Sequence, residues 1–413
     1  MRLPCAIWAI SSCPVARGTI LPAMNLRLLS LLLIAAAAQL TAQTQTQPQP
    51  QPLQVWIMQD SGTTAGLRGI DSVDGTVAWA SGTGGTVLRT IDGGANWLKC
   101  AVPDGDKDGA TLDFRGVQAW DANTAIVMAS GPSDKSRLYK TTDGCKTWRI
   151  VLRNPEKEGF WDALYFEKTN KNGRGRWDWG WLLGDPVDGM FWLLETRDAG
   201  QHWSKQRNAG LRVKPGAQSA FAASNSALSA IVGDPAFGIG GGNGAFIFVR
   251  LGRVICVDDC SEADMDREGR LSDWLRIPVE IGSRSESSGV FSINARPIHA
   301  ELPHSNYAVI AVGGDYSKPN DSTGTAAWSS DGAEHWAAST TPPHGYRSTV
   351  QWSESLKLWI TAGTNGSDIS RDDGRTWQPL DNGNWNALSL PFIVGPSGRI
   401  ARLNPAALPP ARH

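Results

Sequence analysis

The chain has 413 residues, with 39 Lys and Arg against 40 Asp and Glu and a formal net charge of −1. That balance gives no basic surface for nucleic acid or an anionic membrane. The length exceeds one ordinary domain but suits a domain built from repeats.

Residues 24–42 have a short basic start at Arg27, an apolar run and small residues at Thr41 and Ala42, the layout of a secretory signal peptide. The run is too short to span a bilayer. Residues 1–42 are therefore assigned to targeting, with Met24 as an alternative start that would leave Cys5 and Cys13 outside the protein. A buried core helix is the other reading, but residues 43–54 follow as a Gln/Thr/Pro linker with nothing to bury. Export places the protein in the periplasm or outside the cell. There Cys100, Cys145, Cys256 and Cys260 meet oxidising conditions, and Cys256 with Cys260 is one pairing open to them. C-x-x-x-C without a nearby His is a poor metal site, so no metal is expected.

From residue 55 one unit repeats. Leu67-Arg68-Gly69-Ile70, then Val77-Ala78-Trp79-Ala80-Ser81-Gly82, then Thr86-Val87-Leu88-Arg89 read as three short strands, each closed by Gly or a polar turn. An eight-residue turn follows, and its Trp starts a fourth strand. The turn recurs as T-I-D-G-G-A-N-W (90–97), T-T-D-G-C-K-T-W (141–148), T-R-D-A-G-Q-H-W (196–203), S-S-D-G-A-E-H-W (329–336) and S-R-D-D-G-R-T-W (370–377). In each the Asp carboxylate can accept backbone N–H groups across the turn, while Gly supplies positive φ.

The first-strand signature continues through Phe114-Arg115-Gly116, Trp161-Asp162-Ala163, Ser219-Ala220-Phe221, Gly289-Val290-Phe291, Tyr346-Arg347-Ser348 and Trp385-Asn386-Ala387. Second strands close on Gly82, Gly131, Gly184, Gly233, Gly313, Gly363 and Gly395. Both series count seven. Between Trp203 and Trp336 one turn has decayed, and residues 256–274, interrupted by acidic residues, are expected to form a long polar excursion. Seven four-stranded units predict an all-β, seven-bladed β-propeller over residues 55–403, because radial repetition protects nearly every sheet edge. The seventh unit lacks an outer strand, and residues 55–58 are predicted to supply it. Residues 404–413 form a tail.

With its turns placed, the chain resembles the Asp-box (BNR) repeat families, whose box runs S/T-x-D-x-G-x-T/S-W. Within them it is similar to bacterial homologues of the photosystem II stability and assembly factor, the Ycf48/HCF136-like proteins. The likeness rests on the five boxes, on G-D-P-V-D-G (184–189), V-G-G-D-Y (312–316), G-Y-R-S (345–348) and G-x-x-G-R-I-A-R-L (395–403). Cys145 and Ala333 depart from the box Gly, and Asn96, His202 and His335 from its Thr. The resemblance implies an exported binding or assembly platform for a protein or peptide partner. It does not make photosystem II the client.

Arg68, Arg115 and Arg347 share one place in the first-strand signature, with Asp162 beside it in the third unit. Asp185, Asp234 and Asp315 each follow the Gly region that ends a second strand. Rotational pseudo-symmetry brings such residues to one mouth, as a mixed-charge ring able to bind a carboxylate-bearing or peptide ligand through Arg forks. Alternatively they pair with one another to satisfy a narrow polar channel. The enzymatic rival is a sialidase-like or other glycoside hydrolase, for which Tyr316 and Tyr346 are nucleophile positions without an evident Glu partner, and Leu275-Arg276-Ile277-Pro278 lies at the wrong place for the family signature. A structural repeat of a larger secreted complex is a third class. Asp92, Asp143, Asp198, Asp331 and Asp372, with Trp97, Trp148, Trp203, Trp336 and Trp377, are read as turn closure, the Trp packing into its blade. The Trp-Asp pairs at Trp120, Trp161 and Trp177 fall at different places in the unit and do not mark a WD40 protein. The expectation is a monomer without cofactor or metal, binding a protein or peptide, such as a membrane complex, or a glycan.

Overall fold

The computed structural model describes residues 53–410, apart from 106, 168–177, 207–209, 215, 232, 257–270 and 299–306. The expected signal sequence and most of the expected linker, with Trp177 and Cys260, lie outside the described residues, as does the side chain of Cys256.

The described strands form seven antiparallel four-stranded sheets. Blade 1 runs Leu67–Ser72, Ala78–Gly82, Val87–Thr90 and Leu98–Lys99. Blades 2, 3, 5 and 6 repeat this meander from inner strands Phe114–Ala119, Trp161–Phe166, Ser288–Pro297 and Thr349–Ser353. Blade 7 holds Ala387–Ser389, Phe392–Val394 and Ile400–Leu403, and its outer strand is Trp56–Gln59 from the other end of the described chain. Trp56 pairs with Leu403 and Gln59 with Ile400, so first and last strands share one sheet as the sequence predicts.

Blade 4 departs from the expected register. Its strands are Leu228–Ile231, Asp234–Ile239, Ala245–Cys256 and Leu271–Val279. Gly233 therefore sits in the hairpin after the first strand, and Gly240, bridged to Ser219, occupies the second-strand end. Paired strand continues out to Cys256 and Leu271, and residues 257–270 of the expected polar excursion lie outside the described residues.

Second strands such as A-I-V-M-A at Ala125–Ala129 are buried at every residue. They read as continuous apolar runs because each sheet is covered on both faces by neighbouring blades. The hydrophobic core is accordingly distributed over seven inter-blade seams, including the closing one, where Leu67, Ile70 and Leu88 of blade 1 meet Phe392, Val394 and Ile400 of blade 7.

The five turns share one hydrogen-bond pattern. The Thr or Ser hydroxyl donates to the Asp carboxylate at 2.8–2.9 Å and accepts the N–H of the residue four later. The carboxylate also takes the backbone N–H and side-chain donor of the residue before Trp, whether Asn96, Thr147, His202, His335 or Thr376. The turn thus needs a donor there and not Thr itself. Bonds from the Asn96 amide and N–H hold Asp92 down at about 2, and the Thr147 hydroxyl and N–H do the same for Asp143. Cys145 (φ 66°) and Ala333 (φ 79°) take the positive φ usually left to Gly. Cys145 is disulfide-bonded to Cys100, which joins blade 2 to blade 1.

The turn tryptophans pack at seams, and Trp203 also meets Phe166 of its own blade at 5.9 Å. Trp97 meets Phe392 of blade 7 edge-on at 5.7 Å, and Trp148 meets Trp79 of blade 1 at 6.4 Å. Of the five only Trp377 is buried, at 4% exposure; Trp97, Trp148, Trp203 and Trp336 are half-buried. Trp377→Ala should therefore cost about 3–5 kcal/mol. Trp97→Ala and Trp203→Ala should cost clearly less, an order that urea midpoints will read directly.

Candidate functional site

In four blades the ladder between first and second strands skips a residue. Pairing passes from Leu67 to Gly69, Phe114 to Gly116, Trp161 to Ala163 and Val290 to Ser292. The bulged residues are Arg68, Arg115, Asp162 and Phe291. A bulge frees its residue from the ladder and re-aims the side chain. All four line one cavity of about 460 Å³, to which every blade contributes. The Gly after the first bulge permits the close approach of blade 2: a Cβ on Gly69 would stand 3.1 Å from the carbonyl oxygen of Arg115.

Arg115 Nε donates to Asp113 Oδ2 at 2.8 Å and its Nη1 to the Ala222 carbonyl at 3.1 Å. Arg68 Nε lies 3.7 Å from Asp113 Oδ1 and makes no hydrogen bond. Asp162 is 1% exposed, and its Oδ2 has no partner. Burial, reinforced by the neighbouring Asp185 carboxylate and opposed by Arg115, raises its carboxyl well above the ordinary range. Asp185 is pushed up to about 6 by burial, against the Ala220 N–H that donates to its Oδ1 at 3.0 Å. The remaining wall is aromatic. Phe221 stacks on Phe291 at 3.9 Å, and Tyr346 and Tyr316 meet Phe291 edge-on at 4.8 and 6.1 Å.

The raised carboxyls set a pH dependence. Between pH 4 and 6 the folded protein keeps a proton that the unfolded chain releases, so this stabilisation is complete below about pH 4 and is lost as pH rises through about 6. The slope is at most about 1.4 kcal/mol per pH unit for each proton. Denaturation midpoints should fall across that window in the native protein and fall less in Asp185→Asn.

Three sequence-predicted site residues are placed elsewhere. Arg347 is 0% exposed and does not line the cavity. Its Nε donates to the equally buried Asp368 at 2.6 Å, and its Nη1 donates to the Tyr346 carbonyl and to Asn365. The reason is local: the described blade 6 ladder runs unbroken from Thr349 to Ser353, so no bulge turns Arg347 outward. Asp315 accepts hydroxyl bonds from Ser287 and Ser317, both at 2.6 Å, and from Ser285 at 2.9 Å. Despite burial, those donors hold its carboxyl below the usual range. Asp234 opens the second strand of blade 4, opposite Ile231, at the end of the strand pair away from the mouth. The sequence match to Gly233 put it one strand-end out of place.

Tyr346 does line the cavity, but burial pushes its phenol far above the ordinary value, which opposes a nucleophilic role. Asp92, Asp143, Asp198, Asp331 and Asp372 stay at separate rim turns. Asp331, Glu334 and His335 come within metal-ligand range of one another, and there His335 Nδ1 already donates to Asp331 Oδ2 at 2.7 Å as part of the turn. Sequence reasoning missed Asp113, Phe160, Phe221, Phe291 and Tyr316 as mouth residues. Phe221 and Phe291 stand within the first-strand signature itself, and that position was the available signal.

Neither a protein-family model nor a curated protein sequence matches the chain. Among solved structures it is similar to "YCF48 bound to D1 peptide", with TM-score 0.53 and 17% identity over 85% of this chain and 97% of that one. It is similar too to YCF48 from Cyanidioschyzon merolae, with TM-score 0.52 and 17% identity over 85% of this chain and 99% of that one. At this identity the likeness is one of fold: the chain is a seven-bladed β-propeller with a fold similar to that of the YCF48 structures.

Proposed function

We propose that this is an exported, non-catalytic propeller that acts as a binding platform of the assembly-factor kind, taking a protein or peptide partner at the mouth lined by Arg68, Arg115, Asp162 and Asp185. The observation that carries the reading is the set of bulges, which aim charged and aromatic side chains from separate blades into one cavity. Its volume is that of a site for a few residues of chain. The likeness to a YCF48 structure solved with a D1 peptide supports a peptide partner. The Cys100–Cys145 disulfide supports an oxidising compartment, in the periplasm or outside the cell.

The test is affinity capture from the envelope fraction of the source cells, with the native protein beside Arg68→Glu and the milder Arg115→Gln. Capture of a defined protein by the native chain, lost in Arg68→Glu while circular dichroism stays unchanged, supports the reading. Capture indifferent to both variants removes the mouth from the account. Turnover of sialyl or other glycosides by the pure protein would establish the hydrolase instead.

A further inference from the structure

The mouth is not uniform in charge. On one side Arg68 and Arg115 share the single carboxylate of Asp113, which leaves positive charge in surplus. On the other, Asp162 and Asp185 stand beside each other, and among the described residues neither forms a salt bridge. A buried polar atom is normally satisfied. Asp162 Oδ2 is not, although its side chain is 1% exposed and lines the cavity.

The groups around that oxygen favour one kind of donor. The stacked rings of Phe221 and Phe291 line the same cavity, as does Phe160, whose carbonyl accepts the Asp185 N–H at 2.8 Å. Ring faces attract a cation, and an ammonium carries three N–H donors and no acceptor. A neutral hydroxyl would satisfy Oδ2 but bring no charge to favour the ionised form of either carboxyl. A carboxylate would be drawn to the arginines and repelled here.

Resting on the reading of the mouth as a peptide site, we propose that Asp162 and Asp185, with the Phe221–Phe291 wall, bind a primary ammonium group of the partner, either a lysine side chain or a free amino terminus. Its N–H donors go to the two carboxyls, Asp162 Oδ2 among them, and its apolar stem lies against the rings. Since the pair holds protons in the empty site, ammonium entry releases one. Affinity should then rise from pH 5 to pH 7, below the range in which an amino terminus gives up its own proton. The other ionisable groups around the pair are Arg68, Arg115 and Asp113, with the hydroxyls of Tyr316 and Tyr346 on the aromatic side.

The experiment is a ligand-observed NMR titration of the full chain with three probes. Phenylalaninamide carries only an α-ammonium, Nα-acetyl-lysinamide only a side-chain ammonium, and N-acetyl-phenylalanine only a carboxylate. The expected result is saturable binding of at least one ammonium probe, weakened tenfold or more in Asp162→Asn, with N-acetyl-phenylalanine unaffected by that change. Which ammonium probe binds decides between amino terminus and lysine. Asn matches the shape of a protonated Asp, and urea midpoints of Asp162→Asn and Asp185→Asn establish that the fold is kept. The proposal is overturned if neither ammonium probe saturates, or if binding ignores both Asn variants. Should capture of the partner still depend on Arg68 in that case, the platform reading stands and this inference alone falls. Should capture ignore Arg68 while the probes respond to Asp162, the ammonium subsite stands without the platform.

Discussion

Removing residues 43–60 should bring the propeller close to unfolding at room temperature. The deletion takes away the outer strand of blade 7 and with it Trp56, which is 5% exposed. Trp56 donates its Nε1 to Ser367 Oγ of blade 6 at 2.9 Å and packs on Trp385 at 6.0 Å. Gln59 reaches blade 1, accepting from Trp97 Nε1 and donating to the Gly93 carbonyl, both at 3.1 Å. One strand therefore seals blades 6, 7 and 1. Loss of the Trp56 burial alone is worth about 3–5 kcal/mol, against a total stability of about 5–15 kcal/mol for a typical domain. The bared edge of Ile400–Leu403 is also a template for pairing with another chain. Urea denaturation and size-exclusion chromatography should show a collapsed midpoint and association. A truncated chain that stays monomeric with its midpoint unmoved would mean that blade 7 closes without this strand.

Arg347→Ala should be the most damaging single substitution near the mouth, by about 3–5 kcal/mol, because it strands the buried carboxylate of Asp368. His344 compensates only in part. Its ring bonds Asp368 at 2.7 Å, and that bond raises its pKa. Arg347→Lys should recover little, since the guanidinium spends Nε and Nη1 on separate acceptors and an ammonium cannot reproduce that fork. A midpoint within about 0.5 kcal/mol of native in Arg347→Ala, the range of an ordinary surface substitution, would contradict this account.

The blades were legible because their punctuation is chemical. Positive-φ Gly, an Asp that closes its own turn and apolar runs covered on both faces are properties of a few consecutive residues. The first-strand signature also found the mouth at Arg68, Arg115 and Asp162, where a bulge follows the same local pattern in three blades. It failed at Arg347, whose fate is decided by Asp368 and Asn365 some twenty residues on, and no local pattern carries that convergence. Asp234 failed for lack of a turn motif in blade 4 to fix the register. Cys100 and Cys145 were legible in principle, being 45 residues apart and thus nearly one blade period, which brings them to adjoining blades.

The seam in blade 7 also orders events in time. Trp56–Gln59 leaves the ribosome before any blade exists, while its ladder partner Ile400–Leu403 comes after all the others. Seams between consecutive blades can form as the chain lengthens, but the ring has no closed form until the last strand is delivered. Until then Trp56, together with Ile57 and Met58, waits as an unpaired apolar strand. The ladder that closes the ring thus spans more sequence than any other among the described strands. A chain stalled or clipped short of residue 400 would hold up to six finished blades and still expose both edges of an open arc.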